Sequence, residues 1–422
     1  MKKKILTLLG TIFISSCASV EYTSQPQRIQ NDNSPRKIIV FFDGTANDEA
    51  SRTNVAKLHN LVSLRNRSDI HTIYIKGVGT ENSPIRGLLG MGAGYGIGKD
   101  IRQGYEFIAE RYQPQNQDQI YLFGFSRGAY SARILAGMIE VAGIPDFSKI
   151  GTDTKKRKDL IERIYSAHKG ILSPEERRKN ISKIKDLDSK PAKIEFMGLW
   201  DTVEALGVPT TREHVGRLNS RYFDQLCNIK HAAHALSIDD NRARLFTPVL
   251  LTQPELVSSC KENINIQKIV SEVWFSGAHS DVGGGYHDSD LSGVSLNWML
   301  GKIESYDLVP PKTSVYEDIY SKSHNPDNGL LGFLFYWNLN RNIPNYADKA
   351  AYPNELLPIH DSVIKRLSNP VVGKKWHEFN WIDKNNYPKC FTATPTDCHS
   401  RECVLQLNPN QQCFRIETTK HQ

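Results

Sequence analysis

The sequence predicts an α/β fold built on a mostly parallel sheet with helices on both faces. Three observations carry that expectation. The strand segments are apolar throughout rather than alternating, they take turns with segments of helical spacing, and reactive residue types gather just past their carboxyl ends. A length of 422 residues suits one elaborated domain better than two independent ones.

The globular part starts abruptly at the apolar strand Lys37–Phe42, which runs into Asp43-Gly44-Thr45. A helix is expected over 54–64 and a second strand over 71–75. A glycine-rich stretch follows, from Gly87 to Gly98. It lacks the closing Lys-Ser/Thr of a phosphate loop, so it suits close packing or a mobile lid beside a pocket. A helix over 100–112 leads to the strand Ile120–Phe123, and later strands are expected over 193–200 and 268–276. In open α/β sheets ligands and reactive side chains collect at the carboxyl ends of strands. Asp43, Ser126, Asp201 and His279 all fall there.

The sharpest local signal is Gly124-Phe125-Ser126-Arg127-Gly128, directly after the strand Ile120–Phe123 and before a helical stretch from Ala129 to Ile139. A nucleophile elbow needs this setting: a strand delivers the serine to a tight turn, small neighbours let the backbone double back, and a helix starts beneath the hydroxyl.

The first residues read as a bacterial lipoprotein signal. Met1–Lys4 is basic, Ile5–Ile14 is apolar but short for a bilayer span, and Ser15-Ser16-Cys17 ends it. Lipidation is expected at Cys17, with Ala18 at the next position favouring the outer membrane, on either the periplasmic face or the surface. Several acyl chains on one cysteine anchor far more firmly than one. The other six cysteines are Cys227, Cys260, Cys390, Cys398, Cys403 and Cys413. An even number in an exported chain points to disulfides, and the absence of a C-x-x-C spacing speaks against zinc.

Removing the signal takes away three lysines and no acid, so the formal charge falls from +7 to +4. The basic run Lys155-Lys156-Arg157-Lys158 opens a mixed-charge segment through Asp188 that fits a solvated helix rather than a nucleic-acid surface.

A serine hydroxyl needs a base, and an imidazole needs an acid to fix its tautomer. The chain order Ser126, Asp201, His279 is that of α/β-hydrolases. His360, in Ile359-His360-Asp361-Ser362-Val363, is the rival base, or else lines the pocket or caps a helix. Arg127, following the nucleophile, is expected to give one oxyanion N–H, with a second from around Gly44 or Thr45. Asp43 either holds that loop through hydrogen bonds or meets Asp281 around a cation; no metal and no cofactor is expected.

Phe42-Asp43-Gly44-Thr45, Gly124–Ala129, Leu199-Trp200-Asp201-Thr202-Val203 and Gly277–Tyr286 together resemble a family of uncharacterised α/β-hydrolase domains that includes type VI secretion phospholipase effectors. The likeness covers roughly 37–305 and extends through Asp239-Asp240-Asn241-Arg242 and Asn297-Trp298-Met299. It implies an α/β-hydrolase fold and a Ser-Asp-His esterase, with Ser126, Asp201 and His279 in the triad roles and phospholipid or another lipid ester as substrate. A lipoprotein signal departs from the effectors, because it implies tethering to the producing cell.

The resulting division is a signal peptide over 1–16, a lipidated flexible tether over 17–36, a catalytic domain over 37–305, a lid or pocket-completing extension over 306–388 and a Cys-rich tail over 389–422. The apolar stretch 329–337 is either a buried wall or a lid that touches lipid. Two other functions stand beside the esterase: a noncatalytic envelope scaffold, and a phosphatase built on Asp43.

Overall fold

A computed structural model describes residues 23–24, 35–44, 47, 49–77, 96–204, 222–243, 246–326, 340–369, 390–391 and 406–419. Cys17, Thr45, Cys398, Cys403, the signal segment, most of the tether, the glycine-rich stretch up to 95 and the apolar stretch 329–337 lie outside the described residues.

One sheet organises the chain. Its strands are β1 (Thr23–Ser24), β2 (Lys37–Phe42), β3 (Ile70–Ile75), β4 (Gln119–Phe125), β5 (Ile194–Trp200), β6 (Ile229–Ser237), β7 (Val270–Phe275), β8 (Leu357–His360) and β9 (Phe414–Glu417), in the order β1-β3-β2-β4-β5-β6-β7-β8-β9. Eight of the nine run parallel; β1 alone is antiparallel, pairing Thr23 with Ile73 and Ser24 with Thr72. The expected fold class is the one observed.

Side chains of successive strand residues point to opposite faces, so an all-apolar strand must be covered on both. Ile38, Val40, Phe42, Ile120 and Leu122 pack on one side against α2 (Ile97–Ala109), α3 (Arg127–Ala142) and α4 (Thr154–His168). Ile39, Phe41, Tyr121, Phe123 and Phe125 pack on the other against α1 (Asn54–Ser63) and the helix Ser292–Ile303. A third apolar cluster unites Trp274 with Leu357, Ile359, Cys390, Phe391 and Phe414. Residues past 305 thus continue the same sheet, and part of the Cys-rich tail is its edge strand. The mixed-charge segment forms two helices, α4 and Pro174–Ser182, the second opened by a reciprocal Ser173–Glu176 cap.

Two disulfides are formed among the described residues, Cys227–Cys260 and Cys390–Cys413. They account for four of the six cysteines expected to pair.

Candidate active site

β4 ends at Phe125 and α3 begins at Arg127, so Ser126 alone makes the turn. Its backbone is at φ 58°, ψ −125°, a region that costs a non-glycine residue about 1–3 kcal/mol and is held only by its surroundings. Those surroundings are tight. A Cβ on Gly128 would lie 2.3 Å from the Phe42 carbonyl oxygen, and one on Gly124 would lie 2.5 Å from Ala129 Cα. The Ser126 N–H donates to the Trp200 carbonyl at 3.0 Å, which clips the elbow to the end of β5.

Asp201 follows β5 directly, at φ 37°, and is fully buried. Two strands further along, β7 leads through Gly277 into a short helix, His279–Gly283. The His279 Nδ1–H donates to Asp201 Oδ2 at 2.5 Å. That bond puts the proton on Nδ1 and leaves Nε2 as the imidazole's acceptor. The ring is held on both sides: Phe125, the residue before the serine, packs at 4.6 Å between centroids, and Phe246 meets it edge-on at 4.8 Å. The His279 backbone N–H donates to Asp240 Oδ2 at 3.0 Å, and Asp240 is itself paired with Arg242 at 2.7 Å.

Electrostatics favour an ionised Asp201 and a neutral His279. Burial pushes the Asp201 carboxyl up, but the Arg341 cation and the His279 bond outweigh it and hold it down at about 2. Burial lowers His279 below its ordinary value, against the opposing pull of Asp201. Asp240 is held well below the usual carboxylate range, Arg242 and Arg341 together overcoming its burial.

Gly44 passes beside Ser126: a Cβ there would lie 3.2 Å from Ser126 Cβ. Its N–H, however, donates to Asp43 Oδ1 at 2.6 Å, so it is engaged by its neighbour rather than offered to an oxyanion. Arg127 is the first residue of α3, where N–H groups have no intrahelical acceptor. Asp43 has hydrogen-bond partners different from those of Asp281. Its Oδ2 accepts from the Thr53 hydroxyl at 2.5 Å and from the Tyr74 hydroxyl, while Asp281 accepts from the Ala278 N–H and the His324 N–H, both at 2.9 Å. Asp43 therefore holds its loop to α1 and β3. Among the described residues, no group of three or more His, Cys, Asp or Glu side chains is arranged to hold a metal ion.

His360, the rival base, has partners of its own. It caps the helix Asp361–Leu367, its ring nitrogens lying 2.9 Å from the hydroxyls of Ser362 and Thr419. Two features of the site went unseen in the sequence. Arg341 grips Asp201 from 140 positions away, and His234 pairs with Glu272 across β6 and β7 beneath Thr202. Neither lies in a local motif; only strand register and tertiary closure bring them together.

A parallel sheet that presents a serine on a strained elbow, with an acid–histidine pair formed past the ends of β5 and β7, places the protein in the α/β-hydrolase class, the fold of lipases and esterases. More narrowly, residues 36–302 match the catalytic domain of the type VI secretion system phospholipase effectors of Tle1-like type, and the chain belongs to that family. An uncharacterized protein of Saccharomyces cerevisiae is 28% identical over 249 residues, which is 52% of this chain and 34% of that protein. An uncharacterized protein from Pseudomonas aeruginosa superposes with a TM-score of 0.37 at 19% identity, covering 64% of this chain and 45% of that one. The Tle1 effector bound to the VgrG spike of the type VI secretion system gives 0.32 at 19% identity, covering 61% and 53%. The chain spans about a third of the yeast relative and about half of each of these two structures.

Proposed function

We propose that the protein is a serine ester hydrolase acting on phospholipid, through an acyl-enzyme on Ser126. The observation that carries this reading is the 2.5 Å Asp201–His279 bond formed beside a serine held at positive φ on its elbow. In the proposed reaction His279 Nε2 takes the Ser126 proton as Oγ attacks the ester carbonyl. Asp201 keeps the proton on Nδ1 and stabilises the imidazolium. The Arg127 N–H receives the developing oxyanion. Collapse expels the alcohol, which leaves with the proton from His279, and water then releases the fatty acid by the same steps in reverse. Family membership supports the lipid substrate. The engagement of both Asp43 oxygens supports a loop-holding role over a phosphoaspartate one.

Anchoring through lipidated Cys17 belongs to the same proposal, with the envelope, and the outer membrane in particular, as the location. Incorporation of labelled palmitate into the wild type but not into Cys17→Ser checks it.

The deciding measurement is fatty-acid release from mixed phospholipid vesicles by the purified oxidised protein, wild type beside Ser126→Ala. Release by the wild type alone supports the reading, and the freed chain identifies the scissile ester. No release from vesicles or from a short soluble ester by either form moves the assignment to a noncatalytic scaffold. Equal release by both removes Ser126 from the reaction.

A further inference from the structure

The group that fixes the acid is a cation from outside the family-matched region. The Arg341 guanidinium is completely buried and meets Asp201 in a two-pronged pair, Nη1 to Oδ1 at 2.7 Å and Nη2 to Oδ2 at 2.8 Å. The same two nitrogens donate onward to the carbonyls of Ser237 at 2.5 Å and Phe246 at 2.7 Å. A planar fork of this kind fixes both the position and the rotation of a carboxylate, which a lysine ammonium does not. Phe246 is also the residue packed edge-on against His279.

We infer that Arg341 is a positioning residue for the proposed hydrolysis: its fork sets the Asp201 carboxylate so that Oδ2 faces His279 Nδ1, and ties to that carboxylate the loop whose Phe246 braces the imidazole. The inference rests on the reading of Ser126, Asp201 and His279 as the reacting group. It has a chemical consequence beyond placement. An acid already shared with a guanidinium stabilises the imidazolium less than a carboxylate facing histidine alone, so the base stays neutral to lower pH. The charged and titratable groups around His279 are Asp201 and, behind it, Arg341; Asp240 with Arg242; and, on its own helix, Asp281 with its partner His324.

The test uses Arg341→Lys, which keeps the charge and loses the fork, and Arg341→Met, which loses both. Hydrolysis of a short soluble ester is followed across pH, and the His279 ring is titrated by NMR in a Ser126→Ala background, where turnover plays no part. Arg341→Lys is expected to lower kcat roughly 10- to 100-fold with KM little changed, as loss of orientation does. Arg341→Met is expected to move the His279 titration, and the acid limb of kcat/KM, upward by about one pH unit. If the Met variant does not fold, the kcat loss in the Lys variant decides the matter. Folded variants with kcat within twofold of wild type and an unmoved His279 titration would overturn the inference. A wild type without ester hydrolysis refutes the reaction instead, while the NMR titration still reports on the coupling from Arg341 to His279.

Discussion

The His234 imidazole lies between the Glu272 carboxylate, 2.8 Å from Nδ1, and the Thr202 N–H, 3.1 Å from Nε2. A backbone N–H only donates, so Nε2 must accept and Nδ1 must carry the proton. Glu272 is fully buried; burial pushes its carboxyl up, but the bonds from His234, the Thr252 hydroxyl and the Leu251 N–H prevail and hold it down. The pair thus supports the turn that presents Asp201. His234→Leu leaves the Thr202 N–H without its partner and removes one of the donors to Glu272, and is expected to destabilise by about 1–3 kcal/mol. Denaturant unfolding of the two proteins measures it.

Asp201→Asn tests the acid itself. The substitution turns the histidine's Nδ1 partner from acceptor to mixed donor and acceptor, and an equivalent change in a serine protease triad costs about 10⁴ in kcat. A loss of similar size is expected here. It also strips Arg341 of its counter-charge, so a fall in Tm should accompany the loss of ester hydrolysis.

The elbow has no room for a methyl group. Gly128→Ala would press a Cβ against the carbonyls of both Phe42 and Asp43, at 2.3 and 2.5 Å. Overpacking of this kind costs about 1–3 kcal/mol. Since the displaced backbone carries Ser126, activity should fall more steeply than stability; thermal melting and ester hydrolysis on the same sample separate the two.

Buried neutral histidines make the fold sensitive to acid. His168 is fully buried, neither ring nitrogen has a hydrogen-bond partner among the described residues, and burial lowers it to about 3. The unfolded chain takes up that proton near pH 6.5, the folded one not until about 3. The stability this group contributes is therefore full above pH 6.5 and is lost as pH falls from there toward 3, at up to about 1.4 kcal/mol per pH unit. His168→Leu should flatten that slope by about one proton, as read from unfolding free energies at several pH values.

Cys227 and Cys260 are bridged across a sequence separation of 33. Closing a loop of that size removes unfolded-state freedom equivalent to roughly 3–4 kcal/mol. The Cys227→Ser, Cys260→Ser double variant should melt at lower temperature than wild type, and a reductant should lower the wild-type Tm by more than the variant's.

Five strands were legible because they are largely apolar runs, rich in β-branched and aromatic residues, ended by turn residues. β6 was not: Ile229-Lys230-His231-Ala232-Ala233-His234-Ala235-Leu236-Ser237 has little of the β-branched and aromatic content that marks a strand, and its place in the sheet comes from packing between β5 and β7. Ser126, Asp201 and His279 announced themselves as residues at strand ends. Arg341 did not, because nothing near it in sequence distinguishes a buried arginine from a solvated one. His234 and Glu272 became neighbours only through the register of β6 on β7. Asp43 stood out by its position, but its hydrogen-bonding role depends on Thr53 and Tyr74, from elements whose approach a linear pattern does not encode.

The sheet ends in two short strands. At one edge lies β1, two residues long and reversed in direction; at the other lies β9, four residues long and beginning directly after the Cys390–Cys413 bridge. A long parallel strand left bare offers its row of N–H and C=O groups as a template for any passing chain. Short strands at both edges leave little of such a row for a second copy to pair with. Trimming β1 uncovers the whole of the six-residue β3, and the expected penalty is copies joining edge to edge.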